Sequence, residues 1–465
     1  MPDRLPTRRP TAVVIGASAA GLFTAAVLTE FANVTIIERD RLPDGPEPRR
    51  GVPQTRHAHL VWSGGVNAIN ELLPGLTDAA VGQGARLVRI MGDMISRAPN
   101  EVWFRRFLAT HHRNLVCSRD LLDSVLRDRV LTHEHVTLQQ ATATGLEGDA
   151  TRVTGVRAYR ADQEFTFPAD LVIDASGRGS HAAQWLATLG LPKATEREVN
   201  AGVTYATRLF KAPASAGDNF PLVNVQANPA KAPGQGGIIL PIENNQWLVT
   251  LAGTRGGEPI ADPDAFVPFA LGFADPVIGQ LLQHAQPIND VVTTRSTANR
   301  RRYFEKMKHW PDGFMVMGDA VAAYNPVYGH GLTVAAQGAI AVRNVLRTKH
   351  ITAPGTTRQL QRAAARPVAA AWDLAVGQDA FYPGAAQTPP TPMERFLARF
   401  VDKAVETGAR NPRAMGALLD VMSMEKPATR LFSRDMLIPM LFGPRTPHLQ
   451  GPPLREEERA VIHPC

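Results

Sequence analysis

The N-terminal part of the chain alternates between short apolar runs and a helix-forming stretch. Residues 11–15 and 34–38 are apolar runs with the length of a buried strand, and residues 19–28 between them are rich in alanine and leucine. A strand, a helix and a second strand in such close succession predict a β-α-β unit, the opening of a parallel nucleotide-binding sheet.

Further along the chain the pattern changes twice. Strand-like or alternating segments follow one another at 136–139, 153–159, 165–167, 171–174, 203–210, 237–241 and 247–252. The alternation from residue 203 onward predicts a second, mostly antiparallel sheet. A buried strand at 314–317 precedes a helix at 332–346, and the chain is mainly helical after about residue 355.

We therefore predict an α/β (α+β) fold with three parts. A Rossmann-like dinucleotide-binding domain takes residues 1–80, 105–185 and 296–350. A substrate domain built on an inserted antiparallel β-sheet takes residues 81–104 and 186–295, and a helical C-terminal region takes residues 351–465. A length of 465 residues agrees with two or three domains.

The turn after the first predicted strand has the spacing of a dinucleotide-binding loop. Its sequence is Gly16-Ala17-Ser18-Ala19-Ala20-Gly21, in which Ser18 replaces the usual middle glycine. Gly16 permits a tight turn, Gly21 permits close packing of helix and strand, and the free N–H groups of the helix face a pyrophosphate. Glu38 ends the second strand, where its carboxylate is expected to accept both ribose hydroxyls and to repel a 2′-phosphate. FAD or NAD is therefore favoured over NADP.

Two later segments follow predicted strands in the same way. One is Asp174-Ala175-Ser176-Gly177-Arg178-Gly179-Ser180, and the other is Gly318-Asp319-Ala320 with the loop Asn325-Pro326-Val327-Tyr328-Gly329-His330-Gly331-Leu332 behind it. An aspartate after a strand is suited to hold a ribityl hydroxyl. The N-terminus of the helix after the loop stabilises negative charge at the pyrimidine edge of a flavin.

In this order and spacing, the three segments resemble the flavoprotein monooxygenases of the para-hydroxybenzoate hydroxylase and squalene epoxidase type. The resemblance implies a FAD-binding domain whose first motif holds the ADP half of the cofactor and whose Asp319 holds the ribityl chain. It places Pro326, Gly331 and Leu332 beside the flavin ring. Arg119 resembles the arginine that opens a long helix and contacts FAD, and residues 174–180 match a segment linked to both FAD and NADPH.

Four longer phrases, at 51–59, 205–210, 254–259 and 325–331, are similar to the bacterial epoxidases of polyether antibiotic pathways such as those for monensin and lasalocid. This finer resemblance places Arg56 near the FAD phosphates and the backbone of Ala58 and His59 against the flavin edge. The residues expected to bind the cofactor are Gly16, Ser18, Ala19, Ala20, Gly21, Glu38, Arg39, Arg56, Ala58, His59, Arg119, Asp174, Asp319, Pro326, Gly329, Gly331 and Leu332.

Several flavin chemistries compete on this scaffold. A phenol hydroxylase requires a base of near-neutral pKa, and no acid–base cluster stands out. A flavin halogenase uses a lysine in its N-terminal third and a Trp-x-Trp-x-Ile-Pro motif, whereas the first lysine here is Lys193 and the corresponding region reads Ile239-Leu240-Pro241. Alkene epoxidation requires no catalytic side chain, because a flavin C4a-hydroperoxide supplies the oxygen and the protein excludes water.

The resemblance therefore favours an epoxidase of a long polyene polyketide in polyether biosynthesis. A reductase of prenyl double bonds, an aromatic hydroxylase and a non-catalytic flavin protein are the alternatives. The pocket candidates are Pro326, Tyr324 and Tyr328, with Trp62, Phe104 and Phe220 as further wall residues; for each wall residue, plain core packing is the competing interpretation. The reaction also requires O₂ and either NAD(P)H or a separate flavin reductase, and an acyl carrier is a further partner if the substrate is carrier-bound.

Composition narrows the list of partners. The net charge is +7, from 50 basic and 43 acidic residues, but no basic stripe is interleaved with aromatic residues, so a nucleic-acid partner is not expected. Arg4, Arg8 and Arg9 precede an uncharged stretch at 11–29 that mimics a signal peptide, yet this stretch contains the glycine motif. No segment reaches the roughly 20 apolar residues of a membrane span. We expect a cytoplasmic protein.

Neither a disulfide scaffold nor a metal site is expected. Cys117 and Cys465 are the two cysteines, and since neither is a compelling flavin tether, FAD is expected to bind noncovalently. His57 and His59 form a His-x-His pair without a visible third ligand. The remaining histidine pairs, His111-His112 and His133/His135, are interpreted as surface residues.

Overall fold

The structure is a computed structural model that describes residues 8–49, 51–108, 110–443 and 446–463. Arg4 and Cys465 lie outside these ranges. Among the helices of the described residues, none is both long enough and apolar enough to cross a membrane.

Strands and helices are numbered separately in chain order. The strands are β1 (Thr11–Ile15), β2 (Asn33–Glu38), β3 (Leu60–Val61), β4 (Arg86–Arg89), β5 (Met94–Arg97), β6 (Arg113–Val116), β7 (Val136–Gln140), β8 (Thr142–Gly148), β9 (Val153–Arg160), β10 (Gln163–Pro168), β11 (Leu171–Asp174), β12 (Glu196–Val199), β13 (Thr204–Lys211), β14 (Leu222–Val225), β15 (Gln235–Ile242), β16 (Gln246–Gly253), β17 (Gln286–Pro287), β18 (Val292–Thr294), β19 (Asn299–Arg302), β20 (Phe314–Val316) and β21 (Ala322–Ala323). The helices are α1 (Ala19–Leu28), α2 (Ser63–Leu72), α3 (Leu76–Gly82), α4 (Arg119–Leu131), α5 (Ala182–Thr188), α6 (Phe266–Leu271), α7 (Val277–Leu282), α8 (Gly331–Leu346), α9 (Thr356–Asp379), α10 (Pro392–Gly408), α11 (Pro412–Met422), α12 (Arg434–Phe442) and α13 (Glu456–Ile462).

A parallel sheet of order β20-β11-β1-β2-β7 forms the first core. Val14 pairs with Ile173 on one side and with Ile36 on the other, and all three pack into one apolar cluster with α1, α4 and α8. Their neighbours Val13 and Val172 face the opposite cluster, which includes residues of β8 and β9. Both faces are therefore buried, as in other parallel sheets, and the ends of β1, β11 and β20 lead into the three predicted motifs at one edge.

The second large sheet has the order β17-β13-β16-β15-β14-β5, with β18 also paired to β13. Its pairs are antiparallel except for β14 with β5. Alternation along the strands gives it two apolar faces. The outer face packs against α6 and α7, and the inner face packs against the C-terminal helices α10, α11 and α12. The smaller sheets are β10-β9-β8, β12-β19-β21 and β3-β6-β4.

The C-terminal part of the chain is not one helical unit. Helix α9 packs on α8 and β20, whereas α10 to α12 cover the inner face of the second sheet. Helix α13 instead returns to the outer face of that sheet through Val461, and Glu458 on it forms a buried ion pair with Arg106. The contacts of Val461 tie the end of the chain to the second sheet.

Candidate functional site

Two glycines set the turn between β1 and α1. Gly16 has a φ of 101°, and a Cβ atom there would lie 2.7 Å from the carbonyl oxygen of Ala175. A Cβ atom on Gly21 would lie 1.9 Å from the carbonyl oxygen of Gly16. Only glycine permits these approaches, and they bring the N-terminus of α1 against the end of β11.

An arginine from a distant helix faces the same turn. Ser18 precedes α1 in an extended conformation, and its side chain makes no capping hydrogen bond. Arg119, the first residue of α4, donates through Nη2 to the Ser18 hydroxyl at 3.3 Å and is itself held by Asp123 at 2.7 Å. The arrangement combines free helix N–H groups with a guanidinium, which suits a pyrophosphate.

The Glu38 carboxylate accepts more hydrogen bonds from within the protein than the sequence suggested. Its Oε2 atom accepts from the backbone N–H of Ala17 and from Arg49, both at 2.8 Å, and its Oε1 atom accepts from the N–H of Asp40 at 3.1 Å. A carboxylate has about four acceptor positions, so one remains for a ribose hydroxyl rather than the two expected. The neighbouring Arg39 is exposed.

The second segment is held together by its own aspartate. Asp174 is fully buried and accepts hydrogen bonds from the N–H and hydroxyl of Ser176 and from the hydroxyl of Ser180. Its carboxylate therefore shapes the loop, and the cofactor role predicted for it is not visible in these contacts. Arg178, from the same loop, donates to the carbonyls of Ala298 and Tyr324 and links the loop to the third segment.

Asp319 has a different environment from Asp174. Gly318 passes so close to α1 that a Cβ atom on it would lie 2.6 Å from the Cβ of Ala20. The Asp319 side chain is half-buried, and no hydrogen bond to it is found among the described residues. Burial raises the pKa of Asp319, although Arg178 and Arg119 lower it. A carboxylate with free acceptors beside the first motif fits a ribityl hydroxyl.

The loop before α8 is fixed by a buried polar network that sequence reasoning missed. Asp379, at the end of α9, accepts from the Tyr328 hydroxyl and the Asn299 amide at 2.6 Å each, and from the Asn325 amide at 2.9 Å. Tyr205 on β13 donates to the amide oxygen of Asn325. Burial raises the pKa of Asp379, and these three donors lower it.

The first turn of α8 presents backbone rather than side chains. Gly331 is exposed, whereas the Leu332 side chain is buried in the apolar cluster of the parallel sheet. Gly329 has a φ of 67°, and a Cβ atom there would lie 3.2 Å from the indole nitrogen of Trp62. That nitrogen donates to the Tyr328 carbonyl at 2.8 Å, so Trp62 locks the loop to the start of α2. Pro326 is half-buried in the short turn before Gly329.

The segment expected at the flavin edge is pinned to the second sheet. The hydroxyl of Thr207 lies 2.7 Å from the Nδ1 atom of His57, and the hydroxyl of Thr250 accepts from the N–H of Ala58 at 3.0 Å. The Nδ1 atom of His59 lies 2.7 Å from the His57 carbonyl oxygen. Burial lowers the pKa of both histidines to about 4, so they are neutral at physiological pH. Arg56 is exposed.

The predicted wall residues Trp62, Phe104, Phe220 and Tyr324 do not share one surface. Trp62 and Phe104 belong to the cluster between the second sheet and the C-terminal helices. Phe220 lies on the outer face of that sheet against Trp247, with ring centroids 4.9 Å apart. The Tyr324 side chain is buried, and its hydroxyl donates a hydrogen bond to the carbonyl of Val368. Core packing is therefore the role that the contacts give Phe220 and Tyr324.

Comparison with known proteins adds to this geometry. A model of the FAD binding domain family matches residues 9–374. The chain belongs to the FAD binding domain family. Protein Rv3254 of Mycobacterium tuberculosis is 31% identical over 437 residues, which cover 86% of this chain and 91% of that protein.

Solved structures show the same fold at low identity. The flavin-dependent brominase Bmp2 superposes with a TM-score of 0.66 at 15% identity, over 93% of this chain and 98% of that chain. The p-nitrophenol 4-monooxygenase PnpA from Pseudomonas putida gives a TM-score of 0.60 at 14% identity, over 89% and 99%. The predicted fold class, with its FAD-binding parallel sheet, additional antiparallel sheets and C-terminal helices, is confirmed.

The residues present fit FAD. The glycine turn and Arg119 meet at Ser18, Gly318 passes α1 beside Ala20, and the loop after Asp319 leads into α8. Cys117 is buried, and burial raises the pKa of its thiol, which leaves it a poor nucleophile for a flavin tether. Noncovalent binding and the assignment of individual contacts stay predictions.

Proposed function

We propose that the protein is a FAD-dependent monooxygenase that epoxidises an apolar alkene, with a long polyene polyketide of polyether biosynthesis as its substrate. The family and the fit of the site support FAD as the cofactor. Bound FAD, reduced by NAD(P)H or by a partner reductase, would provide activation of O₂, one atom of which goes to the alkene while the other leaves as water. The similarity of four phrases to polyether epoxidases supports the finer choice of substrate.

The observation that carries the proposal is an apolar lining beside the segment expected at the flavin edge, and we infer that the substrate chamber lies against it. Half-buried apolar side chains from three parts of the chain converge there and continue a single buried cluster. They are Ala58, Leu60 and Trp62 from the flavin-edge segment, Leu209 and Ile238 from the second sheet, and Phe400, Met422 and Met440 from the C-terminal helices. An extended hydrocarbon chain has surfaces complementary to such a lining.

The histidine and tyrosine side chains at this end of the site are poorly suited to remove a proton from a substrate. His57, His59 and His330 have pKa values lowered to about 4 by burial, so they bind no proton near pH 7. The Tyr328 and Tyr324 hydroxyls already donate to Asp379 and to a backbone carbonyl. Burial raises the pKa of Asp120, at the start of α4, to about 6, and its carboxyl is hydrogen-bonded to Thr55. Epoxidation of an alkene requires no proton to be removed from the substrate, in contrast to hydroxylation of a phenol.

The chain's own residues position the substrate and exclude water. Thr207 and Thr250 fix the flavin-edge segment against the second sheet, and Trp62 fixes the loop before α8. The Trp62 ring also stacks on His330, with centroids 5.8 Å apart. Since these contacts fix both the flavin-edge segment and the loop before α8, we infer that an alkene binds against an apolar surface that is already formed.

Isotope labelling of the product tests the reaction type. FAD-loaded protein, NADH or NADPH or a flavin reductase, and ¹⁸O₂ are supplied with a trisubstituted bis-homoallylic alkene acid, and in parallel with a phenol of similar size. We expect an epoxide that contains one ¹⁸O atom. An alkene product that gains two hydrogens, or exclusive hydroxylation of the phenol, contradicts the proposal.

A matched pair of variants tests the chamber. Ile238→Asn places an amide on the chamber wall, whereas Ile260→Asn makes the same change at an exposed position. We expect the first variant to lower kcat/KM for the alkene about tenfold with unchanged FAD content, since it removes roughly one buried apolar side chain from the substrate contact. Equal kcat/KM values in the two variants would show that Ile238 does not face the substrate.

A further inference from the structure

Two histidines and two carboxylates meet at a point away from the FAD cleft. His111 and His112 directly precede β6, and Asp420 and Glu425 lie near the end of α11. One ligand atom from each of the four residues lies within 4.8 Å of every other. His111 is exposed, as expected from the sequence, but His112 is 1% exposed, so its interpretation as a surface residue is wrong.

The spacing within this group, here called the His111 cluster, is that of metal ligands. The Nε2 atom of His111 lies 3.0 Å from Oε2 of Glu425, and the Nε2 atom of His112 lies 3.9 Å from the same oxygen. The Nε2 atom of His112 also lies 3.3 Å from Oδ1 of Asp420. Tetrahedral zinc with bonds of about 2.0–2.1 Å keeps its ligand atoms roughly 3.3 Å apart.

The surroundings of the cluster agree with this spacing. The Nδ1 atom of His112 is buried without a hydrogen-bond partner among the described residues. Asp420 directs its other oxygen to Arg430 and Lys426, and Glu425 directs its other oxygen to the hydroxyl of Ser63. One oxygen of each carboxylate is thereby oriented by protein donors, while the other faces the imidazoles.

We propose that the His111 cluster is a structural site for Zn²⁺ or a similar late first-row divalent ion, with two imidazole and two carboxylate ligands. The donor set of two nitrogens and two oxygens matches the preferences of zinc rather than those of calcium or magnesium, which take oxygen ligands alone.

Such a site clamps the C-terminal helices onto the FAD-binding part of the chain. The segment that carries Glu425 also contacts the flavin loop, since the Met422 carbonyl oxygen lies 2.9 Å from Nε2 of His330. Gln337 on α8 donates to the Met424 carbonyl at 2.9 Å. A bound ion therefore holds the end of α11, which makes these contacts with His330 and Gln337, to the segment before β6, without contact to the reacting atoms.

Zinc binding to the full-length protein tests the proposal. The chain is purified without a histidine tag, loaded with FAD, freed of metal with a chelator and titrated with Zn²⁺ in a calorimeter. We expect one Zn²⁺ per chain and a rise in Tm that a chelator reverses, because an ion that binds only the folded state stabilises it. His112→Asn and Glu425→Gln are each expected to weaken binding at least about tenfold. Glu425→Gln keeps an acceptor for the Ser63 hydroxyl, so weaker zinc binding in this variant is not explained by loss of that hydrogen bond.

The double variant His133→Gln with His135→Gln serves as the matched control, because it removes a second neighbouring histidine pair whose rings are 5.6 Å apart. It is expected to bind Zn²⁺ like the wild type. Absence of binding, binding unchanged in both cluster variants, or loss of binding in the control would each overturn the proposal and leave the cluster as an ion-pair network. Far-UV circular dichroism and FAD content, measured for every variant, show that each one is folded.

Discussion

The pyrophosphate end and the flavin-ring end of the site are built in different ways. At the pyrophosphate end, Gly16 and Gly21 let backbone approach backbone within the turn after β1 and at the end of β11, and Arg119 reaches the same turn from α4. At the flavin-ring end, Asp379 and Tyr205 hold the loop before α8 through side chains on separate elements. The pyrophosphate end depends on the absence of side chains at two glycines. The flavin-ring end depends on a buried polar network in which every group has a hydrogen-bond partner. We therefore expect mutations at the two ends to have different effects.

The largest effect is expected at the pyrophosphate end. Gly21→Ala puts a methyl group 1.9 Å from the Gly16 carbonyl oxygen, so α1 must move away from β1. We expect loss of bound FAD and a decrease of about 3 kcal/mol in the free energy of unfolding, as for overpacking of a tight core. Flavin absorbance of the purified protein and urea unfolding measure the two effects.

Gly416→Ala is the matched control, because Gly416 also lies in a helix and a Cβ atom there meets nothing within 4 Å. It is expected to stabilise the protein by about 0.5–1 kcal/mol through the higher helix propensity of alanine. If Gly21→Ala retains FAD as well as Gly416→Ala does, the close approach at this turn is not needed for binding.

At the flavin-ring end, Asp379→Ala leaves the Tyr328 hydroxyl and the Asn299 and Asn325 amides without their acceptor. We expect a loss of about 2–3 kcal/mol of folding stability and a changed flavin absorption spectrum, with FAD still bound through the intact pyrophosphate end. Asp373→Ala, at an exposed position of the same helix, is expected to change neither. Release of FAD by Asp379→Ala alone would show that the two ends are not separable.

The contrast also explains what the sequence could predict. The three motifs at the ends of β1, β11 and β20 were identified because glycine spacing after a strand is a local pattern. The Asp379 network joins residues between positions 205 and 379, and its asparagines and tyrosines have no characteristic spacing.

Burial could not be predicted for every side chain. The sequence left both a pocket wall and core packing open for Phe220 and Tyr324, and their contacts with Trp247 and Val368 favour core packing. His112 was interpreted as a surface residue because no ligand partner is near it in the sequence. Its partners, Asp420 and Glu425, follow about 300 residues later.

Lowering the pH is expected to have an effect of intermediate size on folding stability. Burial lowers the pKa of His330 to about 4, from 6.5 in the unfolded chain. The unfolded state therefore binds a proton that the folded state does not, and stability is lost as the pH falls from 6.5 toward 4. This histidine alone is expected to cost about 2 kcal/mol at pH 5 relative to pH 8.

Urea unfolding at both pH values measures this cost. His330→Gln keeps a donor for the Met422 carbonyl and is expected to reduce the pH dependence, whereas His133→Gln, at an exposed position, is not. The same pH dependence in the wild type and in His330→Gln would mean that His330 is already protonated in the folded protein.

The smallest effect is expected from Arg119→Lys. The lysine retains a positive charge near Asp123 but lacks the second guanidinium nitrogen, which donates to Ser18 in the wild type. We expect about tenfold weaker FAD binding with little change in stability, measured by titration of the flavin-free protein. Arg129→Lys, an exposed change on the same helix, is expected to leave FAD affinity unchanged, and equal affinities of the two variants would remove Arg119 from the site.

A crystal structure of the FAD-loaded protein tests the central claim most directly. The account predicts noncovalent FAD with its pyrophosphate at the N-terminus of α1 beside Arg119, and its ribityl chain at Asp319. It places the flavin ring at the N-terminus of α8, with one edge facing the chamber lined by Trp62 and Ile238. A flavin ring outside that chamber, or a covalent bond between the flavin and the protein, would contradict it.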